Sequence, residues 1–383
     1  MVVISDIHLG KIQDTIEKGG IPSLPSRVYD AMMRVKEAIE YAKETDSELV
    51  IAGDIFDSAY PSPYLIDIFL DLMEEADSRL RKTWIIPGNH DCGIKYHSLV
   101  YISGLLDSVE LIPLPMIRTV SISGKKIRTA FLPHLPKDAM EERVKKYGSY
   151  LNAAMKDLGD GENIGIVVSH AHLYGAKNAS DVELEAGEAI HFKGSDFFKY
   201  KVGVFGHIHA HQTLGKNHYC GPVVTNSFDE AELIKGMLRV DKSLEVAFIP
   251  FKTPETEYRK VTVNLVDKDA IDLSAKKLEK IGKGKLLKIV VYARSLMQVH
   301  ENEIKAAFSK VGGHVVRFET VLCDDAGSID ETEIDSVVED INYKPVLEEW
   351  LKSKKLPSKD LQMSLSLGNS IIEEVLSAAR AED

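Results

Sequence analysis

Apolar runs that lead directly into a polar residue recur five times in this chain, and they constrain its fold more than any other feature. Short continuous apolar runs are typical of strands buried on both faces. Between two of them, Val28, Val35 and Ile39 recur at helical spacing. The sequence therefore predicts a layered α/β fold. The runs are residues 2–4, 49–52, 84–86, 164–168 and 202–205, and they lead to Asp6, Asp54, Asn89, His170 and His207.

The polar residues after these runs form an ordered set of potential metal ligands. In open α/β sheets the carboxyl ends of the strands are where ligands bind, so we expect these side chains to meet at one edge. Imidazole and carboxylate groups suit manganese, iron or zinc, and one carboxylate can bridge two ions. Glycines precede Asp54, Asn89 and His207 and permit tight turns close to such ions. In chain order the set reads Asp6-x-His8, Gly53-Asp54, Gly88-Asn89-His90-Asp91, His170 and Gly206-His207-Ile208-His209.

This ordered set resembles the signature of the calcineurin-like metallophosphoesterases, D-x-H, GD, GNH plus an acid, H and GHxH, across residues 6–209. The resemblance implies a four-layer α/β/β/α sandwich that binds two divalent metal ions, with manganese as the expected metal. It also implies that His90 is not a ligand and instead protonates the leaving oxygen or stabilises the transition state, with Asp91 orienting it. By motif, Asp6, His8 and His209 hold one ion, Asn89, His170 and His207 hold the other, and Asp54 bridges the two.

Four further polar residues near these motifs have open roles. Asp57 either supports the site or caps the following turn. For His172 and His211, which lie two residues beyond motif positions, we expect structural or supporting roles. His134 lies in a loop to which the sequence assigns no function.

The pattern changes after Phe251, where strands are predicted at 258–265, 286–292 and 314–321 and helices near 270–282 and 301–311. We therefore expect a catalytic domain over 1–252 and a small α+β domain over 253–323. Residues 324–340 hold eight acidic residues and no basic one, which is typical of a solvated linker, here assigned to 324–344. Helices with apolar faces are predicted over 345–383, where Ser370 and Glu373 form a capping box.

Three later features resemble SbcD-type nucleases in particular. The chain has Tyr219-Cys-Gly-Pro, Phe228-Asp-Glu and Lys235-Gly-Met, which are similar to the YPGS, FxE and KGF motifs of that family. The small domain resembles the family's DNA-capping domain, and the helical end resembles the segment that grips the coiled coil of an SbcC-type ATPase. Cys220 and Pro222 depart from the usual proline and serine.

The resemblance implies a manganese-dependent nuclease in an SbcCD-like complex for DNA repair and recombination. The implied activities are 3′ to 5′ exonuclease action on double-stranded DNA and endonuclease action on single strands or hairpins. It further implies a homodimer, for which the helices around 28–43 and 63–76 are candidate contacts, joined to an SbcC-type ATPase pair.

The formal net charge of −12 argues against a protein that coats nucleic acid through a basic surface. A nuclease of this charge needs positive charge from its metal ions or DNA contacts from its partner. One alternative is a small-molecule phosphodiesterase or phosphatase with the same site. A second is a non-catalytic scaffold, which would usually lack some of the ligands, whereas here the motif set is complete.

No apolar run approaches the roughly 18 to 20 residues that a membrane span needs, and the N-terminal segment lacks signal-peptide character. The three cysteines, Cys92, Cys220 and Cys323, lie far apart and form no metal-binding pair, so we expect reduced thiols. These features predict a cytoplasmic protein without membrane contact, in the host cytoplasm if a phage encodes it.

Overall fold

The computed structural model describes most of the chain as far as residue 322. The described residues are 1–19, 23–102, 104–147, 163–178, 199–265, 275–294 and 299–322, together with 150, 154, 158, 180, 191, 192 and 296. The predicted linker 324–344 and the predicted helical segment 345–383 lie outside the described residues. Within the predicted small domain 253–323, residues 266–274, 295, 297, 298 and 323 also lie outside them.

Nineteen strands and five helices have defined bounds in the described part. The helices are α1 (Ser26–Glu44), α2 (Pro63–Arg79), α3 (Lys137–Tyr147), Ala275–Gly282 and Glu301–Lys310. The strands are β1 (Val2–Ile4), β2 (Glu17–Lys18), β3 (Leu24–Pro25), β4 (Leu49–Ala52), β5 (Thr83–Ile86), β6 (Val109–Leu111), β7 (Met116–Ile122), β8 (Lys125–Leu132), β9 (Ile164–His170), β10 (His172–Leu173), β11 (His191–Phe192), β12 (Tyr200–Gly206), β13 (Gln212–Leu214), β14 (Asn217–Tyr219), β15 (Gly236–Val240), β16 (Val246–Pro250), β17 (Tyr258–Asn264), β18 (Leu286–Ala293) and β19 (His314–Leu322).

Two six-stranded mixed sheets form the main body. The first has the order β16-β15-β1-β4-β5-β6, with parallel pairing from β1 to β6 and antiparallel β15 and β16 at one side. The second has the order β13-β14-β12-β9-β8-β7, with four parallel strands between antiparallel edges. The five strands that the apolar runs predict are β1, β4, β5, β9 and β12, and they occupy central positions in both sheets.

The sheets pack against each other through side chains that alternate along their strands. Val3 on β1 lies in the same buried cluster as Val168 on β9 and Val204 on β12, so this cluster fills the space between the sheets. Its neighbours Val2 and Ile4 point the other way, into a cluster that contains α1 and α2 side chains. This two-faced burial explains why the strands read as continuous apolar runs.

The outer face of the second sheet has its own core. Val167 and Phe205 pack there with Tyr150, Ala154 and Leu158, which follow α3 in the chain. The described architecture is therefore mixed α/β, with apolar side chains from helical segments packed on the outer face of each sheet.

A three-stranded parallel sheet, β17-β18-β19, follows with helices Ala275–Gly282 and Glu301–Lys310. Leu278 and Phe308 from these helices pack on Ile289 and Val291 of β18, so this sheet has a separate core. Residues Met1–Leu322 nevertheless form one compact unit, and the domain boundary near residue 252 stays a prediction.

Candidate metal centre

The carboxyl ends of the five central strands bring seven polar side chains together. Asp6, His8, Asp54 and His207 have positive φ angles of 52°, 48°, 52° and 92°. Residues other than glycine rarely adopt this left-handed region, and such backbone strain is concentrated at functional sites. We call the group the strand-end cluster, and it consists of Asp6, His8, Asp54, Asn89, His170, His207 and His209.

Asp6, His8 and His209 form one half of the strand-end cluster. The Nε2 atoms of His8 and His209 face each other at 3.1 Å, and Asp6 Oδ1 lies 3.9 Å from His209 Nε2. Potential ligand atoms of all three residues lie within 4.8 Å of one another. The Asp6 carboxylate also accepts hydrogen bonds from the backbone N–H of His207, at 3.0 Å and 3.2 Å, which ties β1 to the end of β12.

Asn89, His170 and His207 form the other half, with Asp54 between the two. Asn89 Oδ1 lies 3.0 Å from His170 Nε2 and 3.0 Å from His207 Nδ1. Asp54 Oδ2 lies 3.2 Å from His170 Nε2 and 3.6 Å from His8 Nε2, so one carboxylate oxygen reaches both halves. The structure thus brings together all seven residues that the motifs predict.

Partners behind the cluster fix the orientation of two imidazole rings. The Nδ1–H of His170 donates to the carbonyl oxygen of Ala52 at 2.8 Å. His209 Nδ1 lies 2.8 Å from Glu230 Oε1, and the other oxygen of that buried carboxylate accepts from Lys235 Nζ at 2.9 Å. A hydrogen bond on the far nitrogen sets which nitrogen faces the centre, a common arrangement behind metal-binding histidines.

Within the cluster, the side chains of Asp54 and His170 stabilise each other's charged forms. Burial works to raise the pKa of Asp54, but the neighbouring His170 outweighs it and holds that pKa well below its usual range. Burial likewise works to lower the pKa of His170, but the Asp54 carboxylate outweighs it and raises that pKa to about 9. By contrast, burial lowers the pKa values of His8 and His207.

Glycine is required where the backbone approaches these side chains. A Cβ on Gly88 would overlap Asp54 Oδ1, and a Cβ on Gly53 would overlap the His170 ring. Gly53 also has a φ of 89°, which L side chains rarely adopt. The glycines of the GD and GNH motifs therefore leave room for the strand-end cluster.

The donor chemistry of the cluster fits divalent metal ions. It offers four imidazoles, two carboxylates and one amide oxygen, a mixture that suits first-row transition metals such as manganese, iron and zinc. Ligand atoms of Asp6, Asp54 and His170 lie within 4.8 Å of one another, as do those of Asp6, His8 and His209 and, at the edge of the cluster, those of His8, Asp57 and His90. Two such groups sharing one carboxylate residue are compatible with a pair of ions.

His90 lies exposed beside the cluster, with its ring edge-on to His8 at a centroid distance of 4.9 Å. Its Nδ1 is 3.1 Å from the backbone carbonyl oxygen of Asp57. The Asp91 carboxylate instead accepts hydrogen bonds from the backbone N–H groups of Ile55, Phe56 and Gly88. These bonds join the loops after β4 and β5, and the orienting contact predicted between Asp91 and His90 stays a prediction.

Comparison with protein families agrees with this geometry. The family described as calcineurin-like phosphoesterase matches residues 1–211, which is more than half of the chain and contains every member of the strand-end cluster. The chain belongs to the calcineurin-like phosphoesterase family. As a calcineurin-like phosphoesterase it is a metal-dependent hydrolase, and the sheets of its mixed α/β fold are consistent with that family. Its His and Asp groups are candidates for the dimetal site typical of these enzymes.

Individual relatives of this calcineurin-like phosphoesterase are distant. It is similar to the SbcD subunit of the nuclease SbcCD from Staphylococcus epidermidis, with 25% identity over 274 residues. The matched region covers 66% of this chain and 69% of the relative. Two solved structures are each similar over 66% of this chain. A phosphopantetheinyl hydrolase from Mycobacterium tuberculosis has 15% identity and a TM-score of 0.33, with 96% of that chain covered. A dimetal phosphatase from Danio rerio has 12% identity and a TM-score of 0.38, with 98% of that chain covered.

The structure places two residues of this phosphoesterase at the centre that the sequence does not assign to it. Glu230 stands out in the sequence only within a family motif, yet it contacts His209 directly. His134 lies beside the centre, where burial lowers its pKa to about 4. Of the residues with open roles, Asp57 lies 3.2 Å from His8 Nδ1 through Oδ1 and so supports the site. His211 stacks on Phe248 at a centroid distance of 4.0 Å, a packing contact.

No helix among the described residues combines the length and the apolar character that crossing a membrane requires.

Proposed function

We propose that this phosphoesterase is the two-metal DNA nuclease subunit of an SbcCD-like complex. The observation that carries the proposal is the convergence of seven ligand-type side chains from five strand ends on one centre. The distant relative named as part of a nuclease favours DNA as the substrate, because the similarity covers about two thirds of each chain. The proposed activities are 3′ to 5′ exonuclease action on duplex ends and endonuclease action on single strands or hairpins.

In this proposal the two halves of the strand-end cluster are two metal sites. Manganese is the proposed metal, as the resemblance to SbcD-type nucleases implies, and the mixture of imidazoles and oxygen donors is compatible with it. Bound ions of this kind polarise the phosphate and supply a nucleophile at neutral pH. The first ion is assigned to Asp6, His8 and His209, the second to Asn89, His170 and His207, and Asp54 is assigned to both.

His90 is the proposed general acid. Its Nδ1–H donates to the Asp57 carbonyl, which leaves Nε2 as the nitrogen that can carry a proton to the leaving oxygen. Its exposure gives the substrate access to that nitrogen. Asp91 supports this placement because its carboxylate accepts hydrogen bonds from the backbone N–H groups of Gly88 and Ile55. These bonds fix the loop that carries Asn89 and His90.

The remaining parts of the chain are assigned in the same proposal. Residues 1–252 are the nuclease domain on a four-layer α/β/β/α sandwich, and 253–323 are a capping domain whose three-stranded sheet carries its own core. Residues 324–344 are a linker, and 345–383 are a helical segment that binds an SbcC-type coiled-coil ATPase. With a net charge of −12, the chain relies on its metal ions and this partner for much of its hold on DNA.

A homodimer in the cytoplasm completes the proposal. Tyr64 on α2 is 50% exposed, and Val100 and Leu105, which follow β5 in the chain, are 50% and 60% exposed, which leaves apolar surface available for a second copy. The helical faces of α1 and α2 are the candidate contacts on sequence grounds.

The experiment that tests this function compares substrates and metals. The purified chain is incubated with labelled linear duplex, hairpin and single-stranded DNA, each with Mn²⁺, Mg²⁺ or EDTA. We expect Mn²⁺-dependent degradation, with shortening of duplexes from their 3′ ends. Inertness toward every DNA together with rapid hydrolysis of a small phosphodiester would instead identify a small-molecule phosphodiesterase.

A matched pair of histidine variants controls this assay. His90→Gln is expected to lower cleavage about 10²- to 10⁴-fold while Mn²⁺ binding persists, because His90 is not an assigned ligand. His218→Gln changes a histidine whose Nδ1 pairs with Thr213 at 3.1 Å in the β13–β14 hairpin, and it is expected to cleave like the wild type. Full activity of His90→Gln would contradict the assignment of His90.

A further inference from the structure

A cavity of about 660 Å³ opens beside the strand-end cluster, with Asn89 in its wall. This volume lies within the range of small-molecule sites in proteins, roughly 300–1,000 Å³. Because Asn89 is also an assigned metal ligand, a group in the cavity would be close to a phosphate held at the centre. We call this space the rim cavity, and the lining residues that matter here are Tyr60, Asn89, Ile94, His134, Lys137 and Met140.

Backbone hydrogen bonds hold the walls of the rim cavity together. The N–H of His134 donates to the carbonyl of Pro87 at 3.0 Å, which ties the loop after β8 to the loop that carries Asn89. At the start of α3, the N–H of Lys137 donates to Gly93 at 3.1 Å and that of Asp138 donates to Ile94 at 3.0 Å. The cavity is therefore a built feature of the fold, formed where three segments are joined.

One wall of the rim cavity presents an exposed aromatic ring. Tyr60 is 78% exposed and Ile94 is 58% exposed, although both are large and apolar. The Tyr60 hydroxyl lies over Gly93, where a Cβ would come within 3.0 Å of it. Exposed aromatic rings beside a basic side chain, here Lys137, are the surfaces on which unpaired nucleic acid bases stack.

His134, also in the lining, carries a polar atom that needs a partner. His134 Nδ1 is buried and has no hydrogen-bond partner in the part of the chain that the structure describes. Buried side-chain nitrogens nearly always have a partner. His134 is half-buried and lines the cavity, whereas its Nδ1 is closed off from solvent, so a ligand atom reaches this nitrogen once the ring turns toward the cavity. The oxygens and ring nitrogens of a nucleoside can supply that partner.

We propose that the rim cavity is the nucleoside subsite of the metal centre. Tyr60 stacks on the base next to the scissile phosphate, and His134 hydrogen-bonds the same nucleoside. The inference rests on the proposed nuclease function and adds to it that an unpaired nucleotide, not a stacked base pair, enters the site. A neighbouring cavity of about 710 Å³ shares Tyr60 and Ile94, but its lining within the described residues includes no member of the strand-end cluster.

The test compares two kinds of p-nitrophenyl phosphodiester with Mn²⁺ present. Thymidine 5′- and 3′-(p-nitrophenyl phosphate) carry a nucleoside, whereas methyl p-nitrophenyl phosphate does not, and both kinds release the same chromophore. The ratio of kcat/KM for the better thymidine ester to that for the methyl ester measures the subsite. We expect Tyr60→Ala to lower this ratio about 5- to 100-fold and Tyr60→Phe to preserve it, because base stacking needs only the ring. His134→Ala is expected to lower the ratio about 2- to 12-fold.

The neighbouring cavity supplies matched controls. Tyr96 is 75% exposed, like Tyr60. His97, like His134, has a buried Nδ1 without a hydrogen-bond partner among the described residues. Both Tyr96 and His97 line the neighbouring cavity and not the rim cavity. Tyr96→Ala and His97→Ala are therefore expected to keep the wild-type ratio. An unchanged ratio in Tyr60→Ala, or an equal fall in Tyr96→Ala, would overturn the subsite.

The same assay separates this inference from the proposed function. Hydrolysis of the thymidine and methyl esters by the wild type at equal kcat/KM overturns the nucleoside subsite and leaves the phosphodiesterase standing. Hydrolysis of none of the esters with Mn²⁺ overturns both.

Discussion

The strand-end cluster and the rim cavity share Asn89 but are built in opposite ways. In the strand-end cluster, strands of two sheets deliver the side chains, and Asp6, His170 and His209 each have a hydrogen-bond partner that fixes them. The rim cavity is made of loops and the first turn of α3, and Tyr60 on its wall is 78% exposed. The proposed division is that strand ends fix the chemistry, whereas loops select the substrate.

The largest effect is expected for a ligand of the strand-end cluster. His207→Ala removes an imidazole whose Nδ1 lies 3.0 Å from Asn89 Oδ1. Because the proposed metal ions would supply most of the charge stabilisation, activity on both DNA and methyl p-nitrophenyl phosphate should fall about 10⁴-fold or more. Steady-state kinetics measures this loss, and His218→Ala in the same sheet serves as the control. A selective loss on DNA alone would contradict the separation of chemistry from substrate selection.

A smaller loss is expected at His90, which lies beside the strand-end cluster. His90→Gln should lower kcat about 10²- to 10⁴-fold, the usual contribution of a positioned acid. It should leave Mn²⁺ affinity within about twofold, since the assigned ligands remain. Single-turnover cleavage and Mn²⁺ titration by calorimetry measure the two quantities. If metal affinity collapsed together with kcat, His90 would have to be counted as a ligand.

A variant of Glu230 tests whether metal binding by the cluster depends on the hydrogen-bond partner behind the His209 ring. Burial works to raise the pKa of Glu230, but its hydrogen bond to His209 and the charge of Lys235 hold that pKa well below its usual range. Glu230→Gln should weaken Mn²⁺ binding about 10- to 100-fold, with activity partly restored at high Mn²⁺. Glu232→Gln, at an exposed position two residues along, is the matched control. Equal Mn²⁺ affinity in both variants would show that His209 needs no such partner.

The smallest expected effect is a pH dependence of metal affinity. The Asp54 carboxylate raises the pKa of His170 to about 9 against the effect of burial, so this imidazole is protonated at neutral pH without metal. A metal ion binds only the neutral ring and must release that proton, so Mn²⁺ affinity should rise with pH up to about 9. The gain is at most about tenfold per pH unit for each proton released. Calorimetry in buffers of different ionisation enthalpy counts the protons, and a flat profile between about pH 6.5 and 8.5 would contradict this account.

The contrast between strands and loops also explains what the sequence could predict. The central strands and the members of the strand-end cluster follow from local signals, because each apolar run and its terminal Asp, Asn or His are neighbours in the chain. The small domain was predictable for the same reason, and β17, β18 and β19 lie within one residue of the predicted strands.

The parts that local patterns do not predict depend on contacts between distant segments. The contact between Glu230 and His209 spans 21 residues, and nothing in the local pattern assigns a partner to that carboxylate. The β7–β8 hairpin is an exception, because its turn dipeptide Ser123-Gly124 is a local turn signal; the φ angles of 48° and 79° are both positive, as a type I′ turn requires. The rim cavity joins loop residues without periodicity, so only the structure brings Tyr60 and His134 to one space.

The most direct test of the central claim is anomalous diffraction from crystals soaked in Mn²⁺. We expect two manganese peaks inside the strand-end cluster, one contacting Asp6, His8 and His209, the other contacting Asn89, His170 and His207, with Asp54 touching both. The absence of manganese from the cluster, or manganese held by a different set of side chains, would contradict it.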